Sequence, residues 1–489
     1  MKTICSFFIL CCMPGLIWCA SPDNKTNNTA DVKRSLVLIQ SYQQAYDWLI
    51  PWNKKAISKK NGAALVLPKQ QLLTTAELVA NHTLISVRKP GVERLYEAEL
   101  ILIDYAMNLA LLHVAAPDFW DGLSPVEWGE PEAGSAEIQY WKSKSEWKTI
   151  AGKVKQLFIG FRSRSNTYLP MMEVVASMKS NVQGNPMVQN NKVTGMVIQL
   201  RDANLDVAPA SFLQLFIKKA SLVPYPGFPQ RGFQWQSIPQ GAIRRYFGLE
   251  EGVSGILINR ILHYGTGSDV LKPQDFLISI EGWQLSNEGT IEHPQWGVIL
   301  FDYLFTSLNA EPSVALEVIR EGKRVQLKTQ LASFFSEQYS VPLKVVNTPP
   351  RYVLRGGILF QELTMNYLEL WGNDWSSKAP TRLSIYRKLE ADLPENKDKR
   401  LVILSRILPV PVNIGYQNLH NVIVTEINGS SIHHLEDVVH AFENPKDGFH
   451  QVKLLPGGER TYLILLDAEL QSTDQQILKN FQIPQLERL

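Results

Sequence analysis

From Ser35 to Val223 the sequence breaks into short apolar runs: SLVLIQSY, GAALVLP, HTLISVRK, YEAELILID, LALLHVA, GKVKQLFIG, MMEVVASM and KVTGMVIQL. Polar, turn-like clusters separate them at intervals of roughly ten residues. That spacing leaves room for strands and tight turns, and it points to an all-β barrel or sandwich. No run past the N-terminal segment approaches the ~18 uninterrupted apolar residues of a membrane-spanning helix. Residues 21–34, SPDNKTNNTADVKR, are polar and without periodicity, the texture of a flexible leader.

The cysteines constrain the chemistry. Cys5, Cys11, Cys12 and Cys19 all lie in the opening stretch MKTICSFFILCCMPGLIWCA. It has a basic start at Lys2, an apolar run and a small residue, Ala20, which together read as a signal peptide over residues 1–20. The protein is therefore expected to be exported, to a periplasm or cell envelope. The alternative is lipid tethering at Cys19, against which Trp18 occupies a position that needs a small residue. Cleavage after Ala20 leaves no cysteine, which excludes disulfides, thiolate catalysis and cysteine-based zinc sites. With 49 Lys+Arg against 47 Asp+Glu, nothing favours a nucleic-acid partner.

PYPGFPQRG, residues 224–232, reads as a linker. Beyond it QGAIRRYFGLE has the form of a short helix closed by Gly248, and GILINRI and DFLISIEGWQL that of strands. WGVILFDYLFTSL is a helix candidate, and VALEVIREGKRVQLKTQL a hairpin turning at Glu321-Gly322. After VNTPPRY the order recurs. The strand GGILFQELT and the helix TRLSIYRKLEADL come first, then RLVILSRIL, NVIVTEINGSSI, LEDVVHAFEN and FHQVKLLPGGERTYLILL. FLISIEGWQL and VIVTEINGSSI correspond: strand, acidic residue, glycine turn, next strand. Residues 229–335 and 350–468 thus look like two copies of one module, with 469–489 as a short helix and tail. Three domains suit a chain of 489 residues.

The repeated module resembles a PDZ domain, and the whole arrangement resembles the two-PDZ branch of the Deg/HtrA serine proteases. WNKKAISKKNGAALVLPKQQLLTTAELVANHTLISVRK is similar to that branch's segment around its catalytic histidine. YPGFPQRGFQWQSIPQGAIRRYFGL and VLKPQDFLISIEGWQLSNEGTI are similar to its first PDZ module. The likeness covers roughly residues 35–485. It implies a mainly β protein, with a trypsin-like double β-barrel over 35–223 followed by two β-rich PDZ modules.

The resemblance also locates the positions that carry the family's chemistry. Leu73-Thr74-Thr75-Ala76-Glu77-Leu78-Val79 stands for the family's L-T-N-A-H-V-V and puts Glu77 at the general-base histidine. Asn108-Leu109-Ala110-Leu111-Leu112 stands for D-L-A-L-L and puts Asn108 at the orienting aspartate. Asn181-Val182-Gln183-Gly184-Asn185-Pro186 stands for G-N-S-G-G-P and puts Gln183 at the nucleophilic serine. Acyl transfer needs an attacking oxygen or sulfur, and Gln183 has neither. Asn181 replaces the glycine that shapes the oxyanion hole. A shifted register would use Ser180 or His82, and it breaks the spacing to Gly184 and Pro186. His433, His434 and His440 lack the i, i+4 pairing of a helical zinc motif, so no metal or other cofactor is expected.

In the first PDZ module the stretch matching the family's carboxylate-binding loop and first strand is Arg231-Gly232-Phe233-Gln234-Trp235. A PDZ groove takes an extended C-terminus as an added strand. The reading is an inactive protease homologue that binds peptide or protein C-termini. It would serve as an envelope scaffold, a chaperone-like binder or the partner of an active Deg paralogue. The resemblance further implies a trimer-based homo-oligomer. Two rivals stand beside it: an active serine endopeptidase of envelope quality control with a non-standard site, and a purely structural subunit with closed grooves.

Overall fold

The computed structural model describes residues 32–143, 145–162, 167–178, 182–201, 204–238, 241–307, 313–456 and 460–489. The proposed leader at 1–20, with Cys19, and the candidates Ser180 and Asn181 lie outside the described residues. The protein is mainly β.

Each early apolar run becomes a strand. Leu36–Gln43, Ser58–Leu67, Gln71–Thr74, His82–Arg88, Tyr96–Glu97, Glu99–Asp104 and Leu109–His113 form a seven-stranded sheet. Its two outer strands, Tyr96–Glu97 and Glu99–Asp104, are consecutive in the chain, so the sheet curls round until its ends meet. Gly134–Trp141, Trp147–Arg162, Thr167–Ala176, Pro186–Gln189, Lys192–Arg201 and Asn204–Pro209 close into a six-stranded barrel. A helix that the strand pattern did not announce, Ala210–Ala220, follows the barrel and buries Phe212, Leu213 and Phe216. Those residues fall at the 3–4 spacing of one helix face.

The next sheet runs Phe233–Ser237, Ile256–Ile261, Phe276–Ile280, Ser313–Arg320, Lys323–Gln330. The last two strands turn at Glu321-Gly322, both at positive φ. The segment read as one helix, WGVILFDYLFTSL, divides: Gly297–Leu300 pairs with Thr290–His293 as a hairpin, and only Asp302–Ser307 is helical. Gly297 sits at φ +67°, which suits a hairpin turn rather than a helix interior.

The same strand order recurs as Ile358–Glu362, Val402–Ile407, Val422–Ile427, Phe449–Leu454, Tyr462–Leu466. Two strands are added at its front edge. Tyr352–Arg355 pairs with Ile358–Glu362, and the C-terminal Glu487–Arg488 pairs with Tyr352–Arg355. The helix Asp467–Asn480 crosses the 468/469 boundary and buries Leu470 and Ile477, so 469–489 packs as part of the module. The helix expected at TRLSIYRKLEADL runs Thr381–Ile385 and then widens into a π-turn over Tyr386–Glu390.

Candidate functional site

Glu77, Asn108 and Gln183 are brought together from three separate elements. Glu77 rides on the one-turn helix Ala76–Val79, which buries Ala76, Leu78 and Val79 and leaves Glu77 half-exposed. Asn108 ends the turn before Leu109–His113 in the left-handed conformation, φ +57°, which asparagine tolerates better than most residues. Gln183 lies in the turn before Pro186–Gln189. That turn is pinned across the two sheets by Ala63 N–H donating to the Gln183 carbonyl at 3.0 Å.

Two hydrogen bonds link the three residues in series. Gln183 Nε2 donates to Glu77 Oε2 at 3.1 Å and to the Ile198 carbonyl at 3.4 Å. The Glu77 backbone N–H donates to Asn108 Oδ1 at 3.0 Å. Asn108 is fully buried and its Nδ2 has no hydrogen-bond partner. The helix is further held by Gln43 Nε2, which donates to the carbonyls of Glu77 at 3.0 Å and Leu78 at 2.8 Å. Chemically the cluster offers one carboxylate able to accept a proton. The group it faces is an amide, which is neither acidic nor nucleophilic. His82 is turned elsewhere, with Nδ1 against the Val79 carbonyl at 2.8 Å. The Thr75 hydroxyl is buried, with no hydrogen-bond partner among the described residues.

The first module builds a different kind of site. Phe233–Ser237 is the outer strand of its sheet. Gly232 N–H donates to the Thr266 carbonyl at 2.8 Å, and Thr266 N–H donates to the Gln230 carbonyl at 2.7 Å. These two bonds flank Arg231 and turn its own N–H the other way. Leu262 N–H donates to the Gly232 carbonyl at 2.9 Å, which makes Phe233–Ile261 a pair without its own hydrogen bonds. The N–H groups of Arg231 and Phe233 therefore face the open edge, where an added strand would end. A glycine is required between them: a Cβ on Gly232 would fall 2.4 Å from the Tyr264 carbonyl oxygen and 2.6 Å from that of Gly265.

The side chains of this stretch have separate duties. The Arg231 guanidinium is held by Asp302 at 2.6 Å and 2.7 Å and by the Tyr168 hydroxyl at 3.1 Å. Phe233 stacks on Phe301, with ring centroids 6.2 Å apart. Gln234 is exposed, and Trp235 packs edge-on to Phe301 at 5.6 Å. Beside the edge opens a cavity of about 330 Å³, lined by Arg231, Phe233, Leu262 and Phe305 among others.

In the second module the corresponding groove is filled. Tyr352–Arg355 lies antiparallel to Ile358–Glu362, in the register Val353 to Phe360 and Arg355 to Ile358, where a ligand strand would go. Gly356 and Gly357 form the tight turn between these strands, at φ +54° and +82°. The Gly356 N–H donates to Asp474 Oδ1 at 2.7 Å.

Of the histidines, His434 sits at the start of the helix Leu435–Phe442 with Nε2 against the Asp398 carbonyl at 2.8 Å, and His440 is exposed. Sequence spacing did not reveal that His434 lies near Glu362 and Glu436, their ligand atoms within 4.8 Å of one another. Arg351 binds both carboxylates, so a fixed cation already serves them.

Comparison with known proteins follows the same architecture. The chain is 24% identical over 466 residues to Protease Do-like 2, chloroplastic, of Arabidopsis thaliana, covering 93% of this chain and 75% of that one. It is 22% identical over 430 residues to Protease Do-like 4, mitochondrial, of the same plant, covering 86% and 79%. The PDZ domain family matches residues 341–487. Over most of its length the chain is similar to proteases of the Deg/HtrA type. Among solved structures, the HtrA-type protease AlgW with decapeptide is similar over 65% of this chain and 97% of that one, at 13% identity and a TM-score of 0.46. The resemblance read from the sequence expects Glu77, Asn108 and Gln183 at the triad positions and Arg231–Trp235 at the entrance to the first PDZ groove.

Proposed function

We propose that this Deg/HtrA homologue is catalytically inactive and works by binding peptide or protein C-termini in its first PDZ module. The observation that carries the reading is the bond from Gln183 Nε2 to Glu77 Oε2. It joins the two positions where proton transfer from a nucleophile would occur, and neither end supplies an attacking atom. Losing one member of a triad already removes most of its catalysis, because the members act as a unit. The open edge of Phe233–Ser237, with two N–H groups facing outward, supports the binding role. The protein is exported to the cell envelope, forms trimer-based homo-oligomers, and serves as scaffold, chaperone-like binder or partner of an active Deg protease.

The test is a titration of the full chain with a library of C-terminal peptides, read by fluorescence polarisation. Saturable binding of a subset is expected, lost when the terminal carboxylate is amidated. Failure of every peptide to bind would favour a purely structural subunit.

A further inference from the structure

The cavity beside the first-module groove is completed by the second module. Met365, Trp375, Arg387 and Lys388 form its far wall, facing Phe233 and Phe305. The wall is held firmly. Tyr264 and Phe334 of the first module stack at 4.1 Å, and Tyr264 packs edge-on to Tyr339, in the segment joining the modules, at 4.5 Å. Across the same seam His263 N–H donates to the Asp392 carbonyl at 3.1 Å, and Arg260 Nη1 donates to the Leu389 carbonyl at 2.8 Å.

The wall has three features that its structural role does not require. Arg387 and Lys388 sit in the π-turn Tyr386–Glu390, a form that is rare and often found at functional sites. Arg387 is 8% exposed and pairs with Asp392 at 2.9 Å, yet its Nε is buried without a partner, as is Asp392 Oδ1. Buried polar atoms are nearly always satisfied, so an unmet N–H and an unmet carboxylate oxygen together set this wall apart from ordinary packing. The charge balance agrees. Arg231, Arg387 and Lys388 line the cavity against Asp302 and Asp392, an excess of one positive charge. Both arginines are paired, whereas Lys388 Nζ meets only the Ser376 carbonyl, at 3.4 Å.

We infer that the second module is one wall of the first module's peptide pocket. The ligand is then a C-terminal peptide with an apolar last residue and a carboxylate side chain within its last three residues. This rests on the reading of the first groove as a peptide site. The outward N–H groups of Arg231 and Phe233 take the terminal carboxylate. Phe233, Leu262 and Phe305 receive the last side chain. Lys388, exposed on the wall, takes the acidic side chain, and the surplus positive charge favours it there.

The test compares fluorescein-labelled decapeptides ending Glu-Ala-Val, Lys-Ala-Val and Ser-Ala-Val on the full chain. The Glu peptide should bind about tenfold tighter than the Lys peptide, a usual scale for close charge pairs at an interface. The gap should shrink to about twofold in Lys388→Gln, an exposed change that leaves the core alone. The double variant Arg387→Met/Asp392→Leu removes the buried pair together, so no lone charge is left to unfold the wall and the surplus positive charge is unchanged; it should keep the preference. Thermal unfolding checks that both variants are folded. Binding without acidic preference, or a preference indifferent to Lys388, overturns the composite wall and leaves the groove reading standing. No binding by any peptide overturns both.

Discussion

At the scale of single residues, the proposed degenerate triad holds Glu77, Asn108 and Gln183 close together. The Glu77 N–H is still held by the side chain at position 108, at 3.0 Å, and residues 77 and 183 are still in hydrogen-bond contact. The buried Nδ2 of Asn108, without a partner, marks where a second carboxylate oxygen would hold an imidazole N–H. The combined change Glu77→His, Asn108→Asp and Gln183→Ser should therefore raise labelling by a fluorophosphonate probe about tenfold or more above the parent chain. Labelling no higher than the parent's would mean that the surrounding pocket has collapsed as well. A second residue-scale prediction concerns Gly184, at φ +83°, where a Cβ would fall 1.9 Å from the Ala63 carbonyl oxygen. Gly184→Ala should destabilise the barrel by about 3 kcal/mol or more, measured by denaturant unfolding. That Glu77, Asn108 and Gln183 lie close together was expected from the sequence, where Pro186 and the L-A-L-L run set the register of the resemblance. The Gln183–Glu77 bond was not legible, since it joins residues 106 positions apart through a side-chain conformation.

At the scale of elements, edges decide which module can bind. The first module presents Phe233–Ser237 as an outer strand, whereas the second has covered Ile358–Glu362 with Tyr352–Arg355. Peptide saturation should thus slow hydrogen exchange at 233–237 and leave 358–362 unchanged, as read by mass spectrometry. Protection at 358–362 would mean that Tyr352–Arg355 can be displaced. The matched strands of the two modules could be read from FLISIEGWQL and VIVTEINGSSI, whose alternation and glycine turns are local signals. The covering strand could not, because YVLR is equally good as a linker or a strand until its partner is known. WGVILFDYLFTSL was misread for a similar reason: its apolar residues suit a helix face, but Gly297 and the pairing with Thr290–His293 impose a hairpin.

At the scale of the whole molecule, the modules meet at His263, whose backbone N–H donates to the Asp392 carbonyl at 3.1 Å and whose ring packs edge-on to Tyr264 and Phe334 of its own module. Burial lowers the pKa of His263, outweighing the nearby carboxylates Asp392 and Asp398 that act the other way. Its Nε2 is buried with no partner. A histidine held neutral in the fold contributes stability that is present above its unfolded pKa of about 6.5. That contribution is lost as the pH falls through 6.5 toward the lowered folded value. Thermal unfolding should accordingly drop more between pH 7.5 and 5.5 in the parent chain than in His263→Phe. An equal drop in both would place the acid sensitivity elsewhere. The seam brings barrel, first module and second module around one cavity, a long-range arrangement that no local pattern announces. The central claim is that this architecture binds without cleaving. The most direct test incubates the full chain with unfolded casein and with a fluorophosphonate probe. The account predicts neither cleavage nor labelling, and cleavage or labelling that disappears in Ser180→Ala would contradict it.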